Sequence, residues 1–238
     1  MELRTVESRA SNEVRILIWN VHPGKSASHA NKVIEALQWW DCDVLLLSEV
    51  DEAIQLPSKI NRLGYAGMFV ETRRVRGRGI CAGNLIASRF TMHSPRIVPV
   101  RQGNGLISEM VRYYLEVAVQ ISDTYALTVG MAHKSQPIPF LRTVKEERVA
   151  LLRETSKHTE RYLFGGDMNE LPIQRFIRAL CRQLVHLGPS RLQLSRVPWR
   201  VDYAFGTKDL VPLIRQVCLG PRGPSDHCPI LVCLEIEG

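Results

Sequence analysis

The sequence has no long hydrophobic run. Its uninterrupted apolar stretches span only a few residues, as at Val44–Leu47, far short of the roughly eighteen that a membrane-spanning helix requires. It also lacks paired cysteines. The six cysteines, at positions 42, 81, 181, 218, 228 and 233, are scattered, and none forms a Cys-x-x-Cys pair. That argues against structural zinc and against a disulfide framework. Four of them sit inside apolar runs, and buried free thiols are expected. The segment Met1–Arg9 carries acidic residues and no apolar h-region, so a secretory signal is not expected and a cytoplasmic location is. There is no internal repeat, low-complexity tract or Gly/Ser-rich linker. The simplest division is a loose N-terminal segment over 1–13 and a single domain over 14–238.

What is present is ordinary for a folded chain: 45% hydrophobic and 23% charged residues in 238. The net charge of +7 and a pI near 9.3 favour anionic partners, whether nucleic acid, phosphoinositides or an anionic membrane face. Val14–Trp19 is β-branched and apolar and predicts a strand. Apolar residues at 30, 33, 34, 37 and 40 predict a helix over 28–40 with Ser28 as its N-cap. Val44–Leu47 predicts a buried strand. Helices are further expected over 52–63, 140–159 and 172–184, the last opened by Pro172. Strands are expected near 65–70, 80–88, 111–121, 124–132, 162–164, 201–205, 213–218 and 229–236. Early alternation of helix and strand with later strand pairing implies an α/β (α+β) protein, with packed sheets and helices outside them.

The polar residues of interest stand at strand ends. Asn20 follows Ile16–Trp19, Glu49 follows Val44–Leu47, and His133 follows Leu127–Ala132. Asp167 and Asn169 follow Tyr162–Phe164 across Gly165-Gly166, while Asp226 and His227 precede Pro229–Leu234. If the last strand runs antiparallel to the others, all these groups meet at one rim. Such a set suits an oxygen-ligand metal, Mg²⁺ or Mn²⁺, and not structural zinc. Phosphate ester cleavage needs neutralised phosphoryl oxygens, an activated water and a stabilised leaving oxygen. A metal can supply the first and third, and a carboxylate or imidazole the second.

The segments Ile18-Trp19-Asn20, Leu47-Ser48-Glu49, Gly130-Met131-Ala132-His133, Phe164-Gly165-Gly166-Asp167-Met168-Asn169, Val201-Asp202-Tyr203 and Ser225-Asp226-His227-Cys228-Pro229-Ile230 together resemble the ordered motifs of the endonuclease/exonuclease/phosphatase (DNase I-like) superfamily. The resemblance runs from residue 14 to 236. It implies a four-layer sandwich, two packed mixed β-sheets flanked by helices. It also implies roles: Glu49 as main metal ligand with Asn20 beside it and Asp226 assisting. Asp167 would orient or deprotonate the attacking water, and Asn169 would hold a phosphate oxygen. His227 would contact the scissile phosphate, kept cationic by Asp202. His133 would hydrogen-bond a phosphoryl oxygen or the leaving group. DNase I-like members pair the histidine matching His133 with a glutamate, but Cys81-Ala82-Gly83-Asn84 offers no acid here. The exonuclease III-like branch carries a mid-chain tyrosine in the site, and Tyr113 and Tyr114 lie in that region.

Other segments carry weaker signals. Pro23-Gly24-Lys25-Ser26 invites a phosphate-binding loop reading, but the required upstream glycine is Trp19. Arg73, Arg74, Arg76 and Arg78 form the densest charge run, either a solvated hairpin or a clamp on a polyanion backbone. Trp199 and Arg200 precede Asp202 and could flank a substrate. His22, His29, His93, His158 and His186 match no motif and are read as surface or structural. The expectation is a Mg²⁺- or Mn²⁺-dependent nuclease acting on DNA or RNA. The alternatives are a phosphatase or phosphodiesterase on inositol phosphates or phospholipid head groups, and an inactive nucleic-acid-binding module.

Overall fold

A computed structural model of the chain describes residues 12–22, 26–75, 80–104, 108–135, 142–170, 175–188, 201–221 and 223–236. Among the described residues eleven strands form a single hydrogen-bonded path, a twelfth pairs with one of them off that path, and the whole folds into two sheets. The first sheet runs in the order β11 (Ile214–Leu219), β12 (Ile230–Glu235), β1 (Glu13–Asn20), β2 (Val44–Asp51), β4 (Ile80–Ser88), β3 (Ala66–Val75). The second contains β6 (Ser108–Gln120), β7 (Ala126–Ala132), β8 (Tyr162–Asp167), β10 (Asp202–Gly206) and β9 (Val185–His186), with β5 (Thr91–Asn104) on the far side of β6. A short seam joins them, where Arg73, Arg74 and Val75 of β3 pair with Met110, Glu109 and Ser108 of β6.

Why the sheets stack follows from β1, which is apolar on both faces. Ile16 and Ile18 face the second sheet and pack with Val44, Leu46, Val117, Val129, Met131 and Leu163. Leu17 and Trp19 face outward, with Leu45 and Leu47, against helix α1 (Ala27–Trp40) and helix α2 (Leu56–Asn61). A strand buried on both faces reads as a continuous apolar run, as seen here. On the outer face of the second sheet, Tyr114, Tyr162, Phe164, Tyr203 and Phe205 pack beneath helix α3 (Arg142–Thr155) and helix α4 (Arg175–Gln183), which contribute Leu151, Phe176, Ile177 and Leu180. The four-layer sandwich expected from the motifs is the observed architecture.

Several boundaries differ from expectation for physical reasons. The cap of α1 is Ser26, not Ser28: its Oγ accepts from the His29 backbone N–H. Helix α2 begins at Leu56, because Gln55 takes a left-handed φ of 56° and Pro57 occupies the first turn. Strand β5 was not expected at all. It is an edge strand interrupted by register shifts at His93/Arg96 and Pro99/Arg101, and Pro95 and Pro99 hide it from a pattern search. Strand β1 starts one residue early, at Glu13, and residues 1–11 of the expected loose segment lie outside the described residues. So does Pro172. Cys42 and Cys233 are buried free thiols, but Cys181 is exposed and Cys218 and Cys228 are half-buried. Among the described residues, no helix is long and apolar enough to cross a membrane.

Candidate active site

The last strand, β12, runs antiparallel to β1, pairing Ile18 with Ile230. The start of the one therefore lies beside the end of the other, as the rim argument requires. Parallel pairing of β1 with β2 and of β7 with β8 brings the other strand ends to the same place. β10, antiparallel to β8, puts Asp202 opposite Asp167.

Local backbone devices aim the side chains. A register shift between Leu47 and Val50 interrupts the β2–β4 ladder, and within that bulge Glu49 takes a φ of 59°. Bulges re-aim side chains in this way, and left-handed backbone at a non-glycine residue is a strain commonly held at functional sites. Asn169 (φ 47°) and His22 (φ 57°) share that conformation. Gly166 has φ 137°, and a Cβ there would stand 2.1 Å from the Ala132 carbonyl oxygen. Only glycine lets β8 pass this close to the end of β7 before Asp167.

The eight motif residues converge. Asp167 is buried; its Oδ2 accepts from Asn20 Nδ2 at 3.0 Å and its Oδ1 from the Asn169 backbone N–H at 2.8 Å. Asn169 Nδ2 donates to the Lys134 carbonyl at 2.8 Å. His227 Nδ1 lies 2.6 Å from Asp202 Oδ2, and its Nε2 is 3.8 Å from Asp226 Oδ1. His133 Nε2 stands 3.7 Å from both Glu49 Oε1 and Asp167 Oδ2. The Ser225 hydroxyl clips the chain together, donating to the Asn20 carbonyl at 2.6 Å and accepting from the His227 backbone N–H. The Trp19 indole N–H donates to the His227 carbonyl at 3.0 Å.

Charge crowding sets the protonation states. Burial, then the nearby charge of Asp202, raises Asp167 to about 7, against the pull of His227, Asn169 and Asn20. Burial also raises Glu49. For His227 burial opposes the charged form, but the Asp202 hydrogen bond and the Asp202, Asp167 and Asp226 charges outweigh it and push the imidazole up to about 9. His133 moves the other way: burial, then the charges of Arg112 and His227, pull it well down.

This donor set fits a divalent cation. Four carboxylates share one rim, and burial holds two of them, Asp167 and Glu49, above their usual range, where a bound cation would favour the charged forms. Asp167, Asp202 and His227 offer ligand atoms within 4.8 Å of one another, but the Asp202–His227 hydrogen bond already uses two of them. Glu49 is freer to serve as anchor. Its oxygens lie 3.7 Å from His133 and from His22, beyond hydrogen-bond range.

Sequence reasoning missed three participants. His22 Nδ1 sits 3.7 Å from Glu49 and 3.6 Å from Asp226, held by its N–H on Asn20 Oδ1 and by His29 Nε2 at its carbonyl. The step from Asn20 to His22 was its only signal. Arg112 is buried behind His133. Lys134, fully buried, pairs with Glu170 at 2.9 Å; its place directly after His133 was the one cue. Tyr114 is no site residue, since its hydroxyl is committed to Glu116 and Tyr162. His158 stacks on Tyr162 as a structural residue. Arg73 is exposed near the end of β3, and Arg74 lies beside it in the same strand. Lys25, Arg76, Arg78, Trp199 and Arg200 lie outside the described residues.

Residues 17–227 match the sequence profile of the Endonuclease/Exonuclease/phosphatase family. The chain belongs to that family. No curated protein matches it by sequence. Among solved structures sharing the family's fold, the human Nocturnin catalytic domain with bound sulfate superposes with a TM-score of 0.75 at 17% identity, covering 93% of this chain and 94% of that one. D. rerio TDP2 complexed with a single-strand DNA product gives 0.70 at 17% identity, covering 93% and 98%. The endonuclease domain of TRAS1, a telomere-specific non-LTR retrotransposon, gives 0.62 at 18% identity, covering 95% and 100%. At these identities the likeness is one of fold, and the family's chemistry in this chain rests on the rim residues themselves.

Proposed function

We propose that this chain is a divalent-metal-dependent phosphodiesterase, and within that class a nuclease that hydrolyses DNA or RNA phosphodiester bonds by in-line attack of water. The observation that carries the reading is the gathering of Glu49, Asp167, Asp202 and Asp226 with His133 and His227 at one rim, where Asp167 is held at about 7. The net charge of +7 and the arginine run at 73–78 favour a polyanionic substrate. The single-strand DNA product in one fold neighbour and the endonuclease activity of another support nucleic acid.

Glu49, Asn20 and Asp226 would hold Mg²⁺ or Mn²⁺, which when bound neutralises phosphoryl oxygens and stabilises the leaving oxygen. Asp167 orients the water and takes its proton as the new oxygen–phosphorus bond forms and the bond to the leaving oxygen breaks. A carboxylate titrating near neutrality is matched to that task. Asn20 and the Asn169 N–H hold Asp167 in place through both its oxygens. His227, cationic beside Asp202, binds a phosphoryl oxygen, and the Asn169 carboxamide a second one.

The test is incubation with plasmid, single-stranded and abasic DNA, RNA and a bis-aryl phosphodiester, each with Mg²⁺, Mn²⁺ or EDTA. Metal-dependent cleavage of a polynucleotide is expected. Cleavage unchanged in EDTA would overturn the metal dependence. Turnover confined to inositol phosphates or lipid head groups would replace the nuclease, and no turnover at all would leave a binding module.

A further inference from the structure

His133 has a partner of the wrong sign. The resemblance calls for an acid behind this imidazole, and the stretch Cys81-Ala82-Gly83-Asn84 of β4 supplies none. The group that meets the ring is Arg112 of β6. One of its terminal guanidinium nitrogens lies 3.2 Å from His133 Nδ1, and its Nε lies 3.4 Å from Ser135 Oγ. Both residues are buried, Arg112 at 7% and His133 at 4% exposure, so solvent does not compete for the contact.

The direction of that hydrogen bond is forced. A guanidinium has five N–H donors and no acceptor. Nδ1 must therefore accept, which leaves the ring proton on Nε2, the nitrogen facing Glu49 and Asp167 across the cleft at 3.7 Å. An acid behind the ring would do the opposite, placing a proton on Nδ1 and favouring an imidazolium able to give up the Nε2 proton. We propose that Arg112 fixes His133 as its Nε2–H tautomer, so that this imidazole serves the reaction as a standing hydrogen-bond donor to a phosphate oxygen and never as a proton donor. Arg112 is a positioning residue; the catalytic contact is made by His133. The low proton affinity of His133 agrees with this arrangement, since burial and the Arg112 charge both disfavour a second proton. A neutral ring could release its Nε2 proton only by becoming an imidazolate.

The tautomer follows from the contact alone, whereas the role in catalysis rests on the phosphoesterase reading. Long-range ¹H–¹⁵N correlation spectra of protein labelled at histidine, with and without Mg²⁺, separate the two. His133 is assigned by loss of its signals in His133→Gln. The wild type should show Nδ1 in the unprotonated range and Nε2 in the protonated range. Arg112→Lys, which also can only donate, should keep that pattern. Arg112→Met should shift both nitrogens toward an averaged position. With the bis-aryl phosphodiester, Arg112→Met should lose ~10- to 100-fold in kcat with little change in KM, and Arg112→Lys should recover much of the loss. A protonated Nδ1 in the wild type, or an Arg112→Met spectrum identical to it, overturns the proposal. If Arg112→Met fails to fold, the wild-type and lysine spectra still decide it. An absence of turnover in the wild type would sink the phosphoesterase reading and leave the tautomer result standing.

Discussion

Nδ1 of His227 lies 2.6 Å from Oδ2 of Asp202, and the pairing ties the loop leading into β12 to the start of β10. It holds the imidazole cationic to about pH 9. A phosphoryl oxygen is best met by the cation, so activity should show an alkaline limb near pH 9. Asp202→Asn should move that limb toward the ordinary histidine value and lower turnover at pH 8 by about 100-fold or more. A pH–rate profile checks both. A limb that stays near 9 in Asp202→Asn would assign it to another group.

The same pair bears on stability, and the sign follows from the raised value. The contribution of His227 is fully present below its ordinary 6.5 and is lost as pH rises through about 9. Thermal melts of the metal-free protein should therefore show a gap between wild type and His227→Gln that is wide at pH 6 and narrow above pH 9.

Asp167 should shift stability in the same direction, over a lower pH window. Its folded value of about 7 stands above the ordinary 3.8, so ionising it costs stability as pH rises from about 4 through 7. Asp167→Asn should remove that loss in the metal-free protein while cutting kcat by ~100-fold or more. Melting curves at pH 5 and 8, with single-turnover rates, provide the check. Survival of near-normal rates would remove Asp167 from the chemistry.

Gly166 tests the backbone beneath the site. Gly166→Ala should cost about 2–4 kcal/mol in urea unfolding, because strain at φ 137° adds to the collision with the Ala132 carbonyl. Gly64→Ala makes the control: its φ is 89° but nothing lies within 4 Å of the added carbon. It should cost about 1 kcal/mol.

Replacing Arg73, Arg74, Arg76 and Arg78 by alanine should weaken polynucleotide binding and flatten its salt dependence, by about 0.9 in log–log slope for each phosphate that is no longer neutralised. Fluorescence anisotropy of a labelled oligonucleotide across a salt series reads this directly. An unchanged slope would make the run a solvated hairpin end.

How much could be read beforehand depended on the kind of signal. β1, β2 and β8 announce themselves as apolar runs ending in a polar residue, and the rim residues Asn20, Glu49 and Asp167 came with them. The antiparallel return of β12 followed from requiring Asp226 and His227 to join the others. β5 stayed hidden because Pro95 and Pro99 break its pattern at bulges that only the fold reveals. Arg112 stayed hidden for another reason. A single arginine between Val111 and Tyr113 in a strand reads as solvent-facing, and only the pairing of β6 with β7, with Tyr114 opposite Ala132, brings it beside His133. His22 gave no cue beyond its place two residues after Asn20, because its left-handed φ of 57° is a property of the folded backbone and not of a motif.

The Ser225 clip has a consequence for the order in which the protein is made. The hydroxyl that fastens Asn20 comes 205 residues after it, and His227 arrives in the same late segment. A chain emerging from the ribosome exposes Asn20, Glu49 and Asp167 well before β12 exists to dock against β1. During synthesis the acidic residues Glu49 and Asp167 thus precede the imidazolium that completes the rim. On the reading proposed above, the complete set of rim residues, and any catalysis it supports, arrives only with the segment that carries β12.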